Sequence, residues 1–224
     1  MADNSNGIIN ALKRFDTPTV CNAVELLELR DRTDGFMGMN IRCWFPEMDP
    51  MVGYSVTATV RSTVPGPPAS RHGFLPLFDF IRNSPKPSVL VFKDVGPNGI
   101  RSCHFGDMMA TICSRLGAVG LVTDGGIRDI TTVRELGFHY FSPGATPAHG
   151  NYEIVDSGID VDVGGVIVKP GDLIHADENG VGVFPVDRIQ DLVNAAQTVR
   201  DRENAKLKAL NDPRQDPMAV WSSE

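Results

Sequence analysis

The chain has 224 residues, 42% of them hydrophobic and 22% charged, and carries a formal charge of −7. This is the composition of an ordinary globular protein, with room for one substantial core or two small ones. The acidic balance argues against broad nucleic-acid binding, which favours a basic face, and no apolar run reaches membrane length, so a cytoplasmic protein is expected.

In chain order, Ile8, Ile9, Leu12 and Phe15 fall at helical spacing. Thr17-Pro18 breaks that run and caps a second helix carrying Val20, Val24, Leu27 and Leu29. Residues 52–60, VGYSVTATV, alternate and are rich in β-branched side chains, which predicts a strand. STVPGPPAS at 62–70 reads as a loop, and Phe74 to Ile81 as a short helix. SVLVFKD at 88–94 is a compact buried strand bounded by proline and glycine. Helices and strands then alternate: helix 107–116, with Met108, Met109, Ile112 and Leu116 on one side, strand 118–123, helix 130–136 closed by Gly137, and strand 138–142. Beyond Pro143, residues 161–185 read as short strands separated by glycine turns. A long final helix over about 187–210 sets Ile189, Leu192, Val193, Ala196 and Val199 at helical spacing. No linker, repeat or low-complexity segment divides these parts, so a single α/β domain over 1–224 is expected. Cys21, Cys43, Cys103 and Cys113 form no CxxC pair and lack the density of a disulfide scaffold, which predicts reduced, structural thiols.

Several chemistries are disfavoured by pattern. Gly117, Gly120, Gly125 and Gly126 do not fit the GxGxxG dinucleotide fingerprint, and there is no GxxxxGK[ST] phosphate loop or GxSxG nucleophile elbow. The histidines show no HExxH spacing, and a structural zinc site is unsupported. What remains is oxygen-ligand chemistry at helix N-termini, whose unpaired N–H groups and partial positive charge attract carboxylates and phosphates. Two such openings occur, Gly106-Asp107-Met108-Met109 and Gly125-Gly126-Ile127-Arg128-Asp129. Together they offer backbone donors, a guanidinium and carboxylates to one small anion and a hard cation, a set that suits Mg2+. The same residues admit plainer readings: Asp107 and Asp129 as helix N-caps, Arg128 as a surface ion-pair partner, and Asp124-Gly125 as a turn. His104 follows Cys103, but strand neighbours point to opposite faces, which argues against a thiol–imidazole pair. Lys93, at a strand end, is the candidate for Schiff-base chemistry, or else borders a surface turn.

FGDMMATICSRLGAVGLVTDGGIRD, with GGVIVKPGDLIHADENGVGVFP downstream, resembles the RraA-like family over about residues 15–210. That family includes the 4-hydroxy-4-methyl-2-oxoglutarate/4-carboxy-4-hydroxy-2-oxoadipate aldolases and the regulator of ribonuclease activity A. The most specific part is the pattern G-x-V-x-D-G-x-x-R-D, met at Gly120 to Asp129. The resemblance implies a three-layer β/β/α fold of the swivelling-domain type, assembled as homotrimers or hexamers with sites between subunits. It implies that Arg128 binds a pyruvyl group, that Asp129 anchors a divalent metal, Mg2+ or Mn2+, and that Gly106–Met109 lends backbone donors. Asp107 stands where a carboxylate orders metal-bound water. Glu203, in RDRENAKLK at 200–208, falls near where the aldolases offer a glutamate from a neighbouring subunit, although by pattern alone it belongs to a solvated face. TPTVCNAV at 17–24 is similar to the family's T-x-x-V-x-D-A-L start, with Asn22 in place of the aspartate. The implied function is a metal-dependent class II aldolase that cleaves 4-hydroxy-2-oxo acids to pyruvate. Decarboxylation of oxaloacetate passes through the same enolate. The alternative is a non-catalytic regulator that binds a protein partner such as a ribonuclease assembly.

Overall fold

The computed structural model describes residues 2–62 and 70–222, so most of the loop expected at 62–70 lies outside the described residues. Helices α1 (Ala2–Leu12) and α2 (Thr17–Leu26) form where the apolar spacing puts them. The cap between them is Asp16, not Thr17: its carboxylate accepts the Thr19 N–H at 2.8 Å. Pro18 then sits in the first turn, where a missing N–H costs nothing. Helix α2 stops at Leu26 and Glu28 turns left-handed (φ 51°), so Leu27 and Leu29 pack on the core from beyond the helix end.

The chain continues through β1 (Arg42–Cys43), β2 (Met51–Ser62), α3 (Phe74–Asn83), β3 (Ser88–Asp94), α4 (Asp107–Arg115), β4 (Ala118–Thr123), β5 (Gly126–Ile127), α5 (Ile130–Glu135), β6 (His139–Ser142) and β7 (Gly144–Ala145). Then come β8 (Tyr152–Ser157), β9 (Val161–Val163), β10 (Val166–Val168), β11 (Leu173–Asp177), β12 (Gly180–Phe184), α6 (Ile189–Leu210) and α7 (Pro217–Trp221). The main sheet runs β1-β6-β4-β3-β2-β11-β12, with β2, β3, β4 and β6 parallel. The twelve residues of β2 serve two antiparallel partners: Met51–Tyr54 pairs with β11, and Ala58–Ser62 with β8.

Strand alternation decides the layers. Leu90, Phe92, Leu121 and Tyr140 turn to the face packed with Leu77, Ile81, Met109, Cys113 and Val133 of α3, α4 and α5. Their neighbours Val89, Val91, Val122 and Phe141 turn the other way, onto Val161, Val163 and Val168 of the β9–β10 ribbon. Ribbon, sheet and helices make the expected β/β/α arrangement. A further cluster seats α1, α2 and α6 on Val52, Tyr54, Leu173 and Phe184. One expected face is corrected: α4 buries Met109, Ala110 and Cys113, while Met108 and Ile112 are exposed. The i, i+4 pair Met109 and Cys113 sets the helix phase on the sheet, which leaves Met108 facing solvent. All four cysteines are free. No helix among the described residues is long and apolar enough to cross a membrane.

Candidate functional site

The parallel strands β2, β3 and β4 end together at Ser62, Asp94 and Thr123, on the carboxyl edge where α/β sheets hold ligands. Two segments meet at that edge, residues 102–107 leading into α4 and residues 123–129 leading into α5. Phe105 bridges Ile127 in parallel, the Arg128 N–H donates to the Phe105 carbonyl at 3.1 Å, and the Gly126 N–H donates to the Ser102 hydroxyl at 3.3 Å. The approach is too close for side chains. A Cβ at Gly126 would lie 2.1 Å from the Ser102 carbonyl oxygen, and one at Gly106 would lie 2.4 Å from Asp129 Oδ2.

Asp129 sits in the left-handed region (φ 58°, ψ 39°) at the start of α5. Its carboxylate makes no bond to that helix and instead accepts the Asp107 N–H of α4 at 3.1 Å. Arg128 Nε lies 3.3 Å from the same oxygen, and the two side chains are 33% and 32% exposed. Gly106 holds the flanking position of α4, and Asp107 is its first residue, with its carboxylate accepting the Met108 N–H at 2.7 Å. Asp129 therefore holds the N-cap position of α5 without a side-chain cap bond, and Asp107 lies inside α4, so neither carboxylate caps its own helix. Of the donors expected from Gly106–Met109, the Asp107 and Met108 N–H groups are engaged by the Asp129 and Asp107 carboxylates.

Behind these groups lies a supporting layer that sequence reasoning did not find. Lys93 Nζ is 2.5 Å from Asp124 Oδ2, and Asp124 Oδ1 accepts the Asp94 N–H at 2.8 Å. The Asp124 carboxylate raises the Lys93 ammonium above the usual lysine range, the reverse of what a Schiff-base nucleophile needs. His104 is wholly buried, with Nε2 3.0 Å from Thr123 Oγ1 and Nδ1 4.0 Å from Asp94 Oδ2. Burial pushes its imidazole down to about 4, against the pull of Asp94 and Asp124. The Cys103 thiol faces the Phe105 carbonyl at 3.7 Å and makes no pair with His104. The sequence singled out Asp124-Gly125, His104 and Lys93 one by one, but not their association, because the partners come from three different segments.

Within the chain Glu203 is held away from Arg128: on α6, it accepts from Asn22 Nδ2 of α2 at 3.0 Å. Asparagine at 22 thus gives Glu203 a donor where an aspartate would repel it. Among the described residues no group of three or more His, Cys, Asp or Glu side chains converges on a metal position. The donor set still fits an ion of the Mg2+ class, which keeps several waters and needs only one or two carboxylates beside substrate oxygens. Asp107 and Asp129, partly exposed on adjacent helix starts, are such a set.

A family model described as RraA-like (Aldolase/RraA) matches residues 17–183. The chain belongs to the RraA-like family. The match takes in both site segments and ends before α6. DlpA of Legionella pneumophila is 32% identical over 135 residues, which is 59% of this chain and 22% of that protein. A Halalkalibacterium halodurans protein named "Putative 4-hydroxy-4-methyl-2-oxoglutarate aldolase" is 33% identical over 108 residues, 48% of this chain and 51% of that protein. The RraA-like chain thus spans about half or less of the length of these curated relatives. The crystal structure of Streptomyces coelicolor RraAS2, described as an unusual member of the RNase ES inhibitor RraA protein family, superposes with a TM-score of 0.70 at 25% identity. It covers 90% of this chain and 96% of that one.

Proposed function

We propose that this protein is a lyase that cleaves 4-hydroxy-2-oxo acids to release pyruvate and also decarboxylates oxaloacetate, with Mg2+ or Mn2+ as its cofactor. The observation that carries this reading is the meeting of Arg128, Asp129 and Asp107 at two helix starts on the carboxyl edge of the sheet. The aldolase name of the H. halodurans relative supports the substrate class.

A 2-oxo acid presents a carboxylate and a carbonyl side by side, and the planar fork of Arg128 suits that pair. When the C3–C4 bond breaks, or carbon dioxide leaves oxaloacetate, the electron pair passes to the carbonyl oxygen of the pyruvyl fragment. A guanidinium beside that oxygen stabilises the developing charge. The Met109 N–H adds the positive end of α4, joined by the Met108 N–H once the Asp107 carboxylate releases it. Asp129 and Asp107 would hold the divalent ion, which supplies Lewis-acid stabilisation of the substrate oxygens. Asp107, whose carboxylate is tied only to its neighbour's amide, orders the water that takes the 4-hydroxyl proton. In this reading the protein is a cytoplasmic homotrimer or hexamer, and Glu203 serves the site of a neighbouring subunit. Mixing Arg128→Ala and Glu203→Ala proteins should then restore activity through interfaces that hold both native residues.

The deciding assay is pyruvate release from oxaloacetate and 4-hydroxy-4-methyl-2-oxoglutarate, with Mg2+ and with excess EDTA. Turnover that needs the ion supports the lyase. Turnover in EDTA, with pyruvate trapped on a lysine by borohydride, replaces it with Schiff-base chemistry. No pyruvate from either substrate favours the second reading, a non-catalytic regulator of a ribonuclease, which the description of RraAS2 supports.

A further inference from the structure

We propose that His104 is a positioning residue: from behind the site it orients the Thr123 hydroxyl, and that hydroxyl anchors the turn presenting Arg128 and Asp129. The activity readout below rests on the lyase reading, while the exchange readout does not.

A hydroxyl has one proton to give and two lone pairs to receive. Thr123 Oγ1 is buried and has two partners, the Gly125 N–H, which it accepts at 3.0 Å, and His104 Nε2 at 3.0 Å. The first uses a lone pair, so the hydroxyl proton is free to go to Nε2. The ring N–H then sits on Nδ1, a nitrogen with no hydrogen-bond partner that faces Asp94 Oδ2 at 4.0 Å. In so buried a place an N–H facing a carboxylate is favourable, and a bare lone pair there is not. Asp94 cannot turn aside, because it accepts from the Ser62 hydroxyl and from the Gly96 N–H. Asp94 therefore selects the tautomer, the tautomer points the Thr123 proton, and the remaining lone pair holds Gly125.

Packing fixes the same relationship. A Cβ at Gly125 would fall 2.3 Å from His104 Cε1, so the ring lies directly under the turn. Phe92 closes the other side, with ring centroids 6.0 Å apart. An apolar ring would fill this space without leaving a buried nitrogen unpartnered, which is a destabilising arrangement. A demand on the turn accounts for it: Asp129 is left-handed and its side chain makes no bond to its own helix, so its direction depends on how Gly125 to Ile127 are held.

The test uses two pairs of variants. Thr123→Val removes the hydroxyl at nearly constant shape, and Thr123→Ser keeps it. His104→Gln can still reach Thr123, whereas His104→Asn reaches only the Nδ1 position. Amide hydrogen exchange is followed over Gly125–Asp129 and, as an internal reference, over Val89–Phe92 of β3. Oxalate binding by calorimetry and kcat and KM on oxaloacetate are measured alongside. In Thr123→Val and His104→Asn, exchange in the turn should quicken about tenfold with β3 unchanged, and oxalate affinity should fall about tenfold, the size expected for one lost hydrogen bond. Thr123→Ser and His104→Gln should stay within about threefold of the parent on both measures. Unchanged exchange in the turn of Thr123→Val overturns the proposal, as does quickening shared equally by β3, or a Gln variant no better than Asn. If the parent protein neither binds oxalate nor turns over oxaloacetate, the lyase reading fails, and the exchange data still decide the role of His104.

Discussion

Asp129 caps a helix to which it does not belong: it stands at the start of α5, yet its carboxylate accepts the Asp107 N–H of α4 at 3.1 Å. One side chain thereby ties together the two helix starts that carry the site. Asp129→Asn keeps an acceptor for that N–H and tolerates a left-handed backbone, so stability should change by less than about 0.5 kcal/mol. The charge that a cation needs is lost, and pyruvate release should fall about a hundredfold or more. Asp129→Ala should add a loss of about 1–2 kcal/mol in urea unfolding from the missing cap and the left-handed backbone. Full activity in the Asn variant would reduce Asp129 to a structural cap.

Gly106 tests how tightly the halves are joined. Its backbone (φ −145°) suits any residue, so Gly106→Ala acts only through its new methyl group, 2.4 Å from Asp129 Oδ2 and 3.0 Å from Arg128 Nε. The two side chains must move. Catalytic efficiency should fall at least about tenfold, with about 1 kcal/mol lost in urea unfolding. Parent-like kinetics would show that the present placement of Arg128 and Asp129 is not the working one.

Arg128→Lys keeps the charge and loses the planar fork. The side chain is a third exposed and pairs with Asp129, so the fold should lose no more than about 1 kcal/mol. Catalytic efficiency on oxaloacetate should drop about a hundredfold, as when an oxyanion donor is removed. Near-native turnover would make Arg128 a surface ion-pair residue.

Acid should weaken the protein through its buried histidines. Burial holds the imidazole of His104 down to about 4, and those of His139 and His175 below the usual 6.5. As pH falls from 6.5 the unfolded chain binds protons that the folded chain refuses. The stability contribution is thus complete above 6.5 and is lost progressively toward pH 4. Urea unfolding at pH 7.5 and 5.0 should show the fall, and His104→Gln should show less of it. Equal falls in both proteins would mean that His104 is not the group taking up the proton.

Local order was legible because it depends on near neighbours. β-Branched and apolar runs marked β2, β3 and β4, helical spacing marked α6, and the G-x-V-x-D-G-x-x-R-D pattern located Arg128 and Asp129. Sequence alone thus determined the α/β class, the order of the main helices and strands, and the two helix starts that meet at the sheet edge. The remainder turned on contacts between distant residues. Met108 is exposed because Met109 and Cys113 set the phase of α4 on the sheet, and both alternatives are amphipathic. Asp129 caps α4, 22 residues along from the Asp107 N–H it accepts, because Gly106 lets it come within 2.4 Å of where a Cβ would stand. His104 reads as an ordinary strand residue until folding sets Thr123 and Asp94 on either side of its ring. Propensity acts over a few residues, whereas the partner of a buried polar atom is decided only when the sheet closes around it.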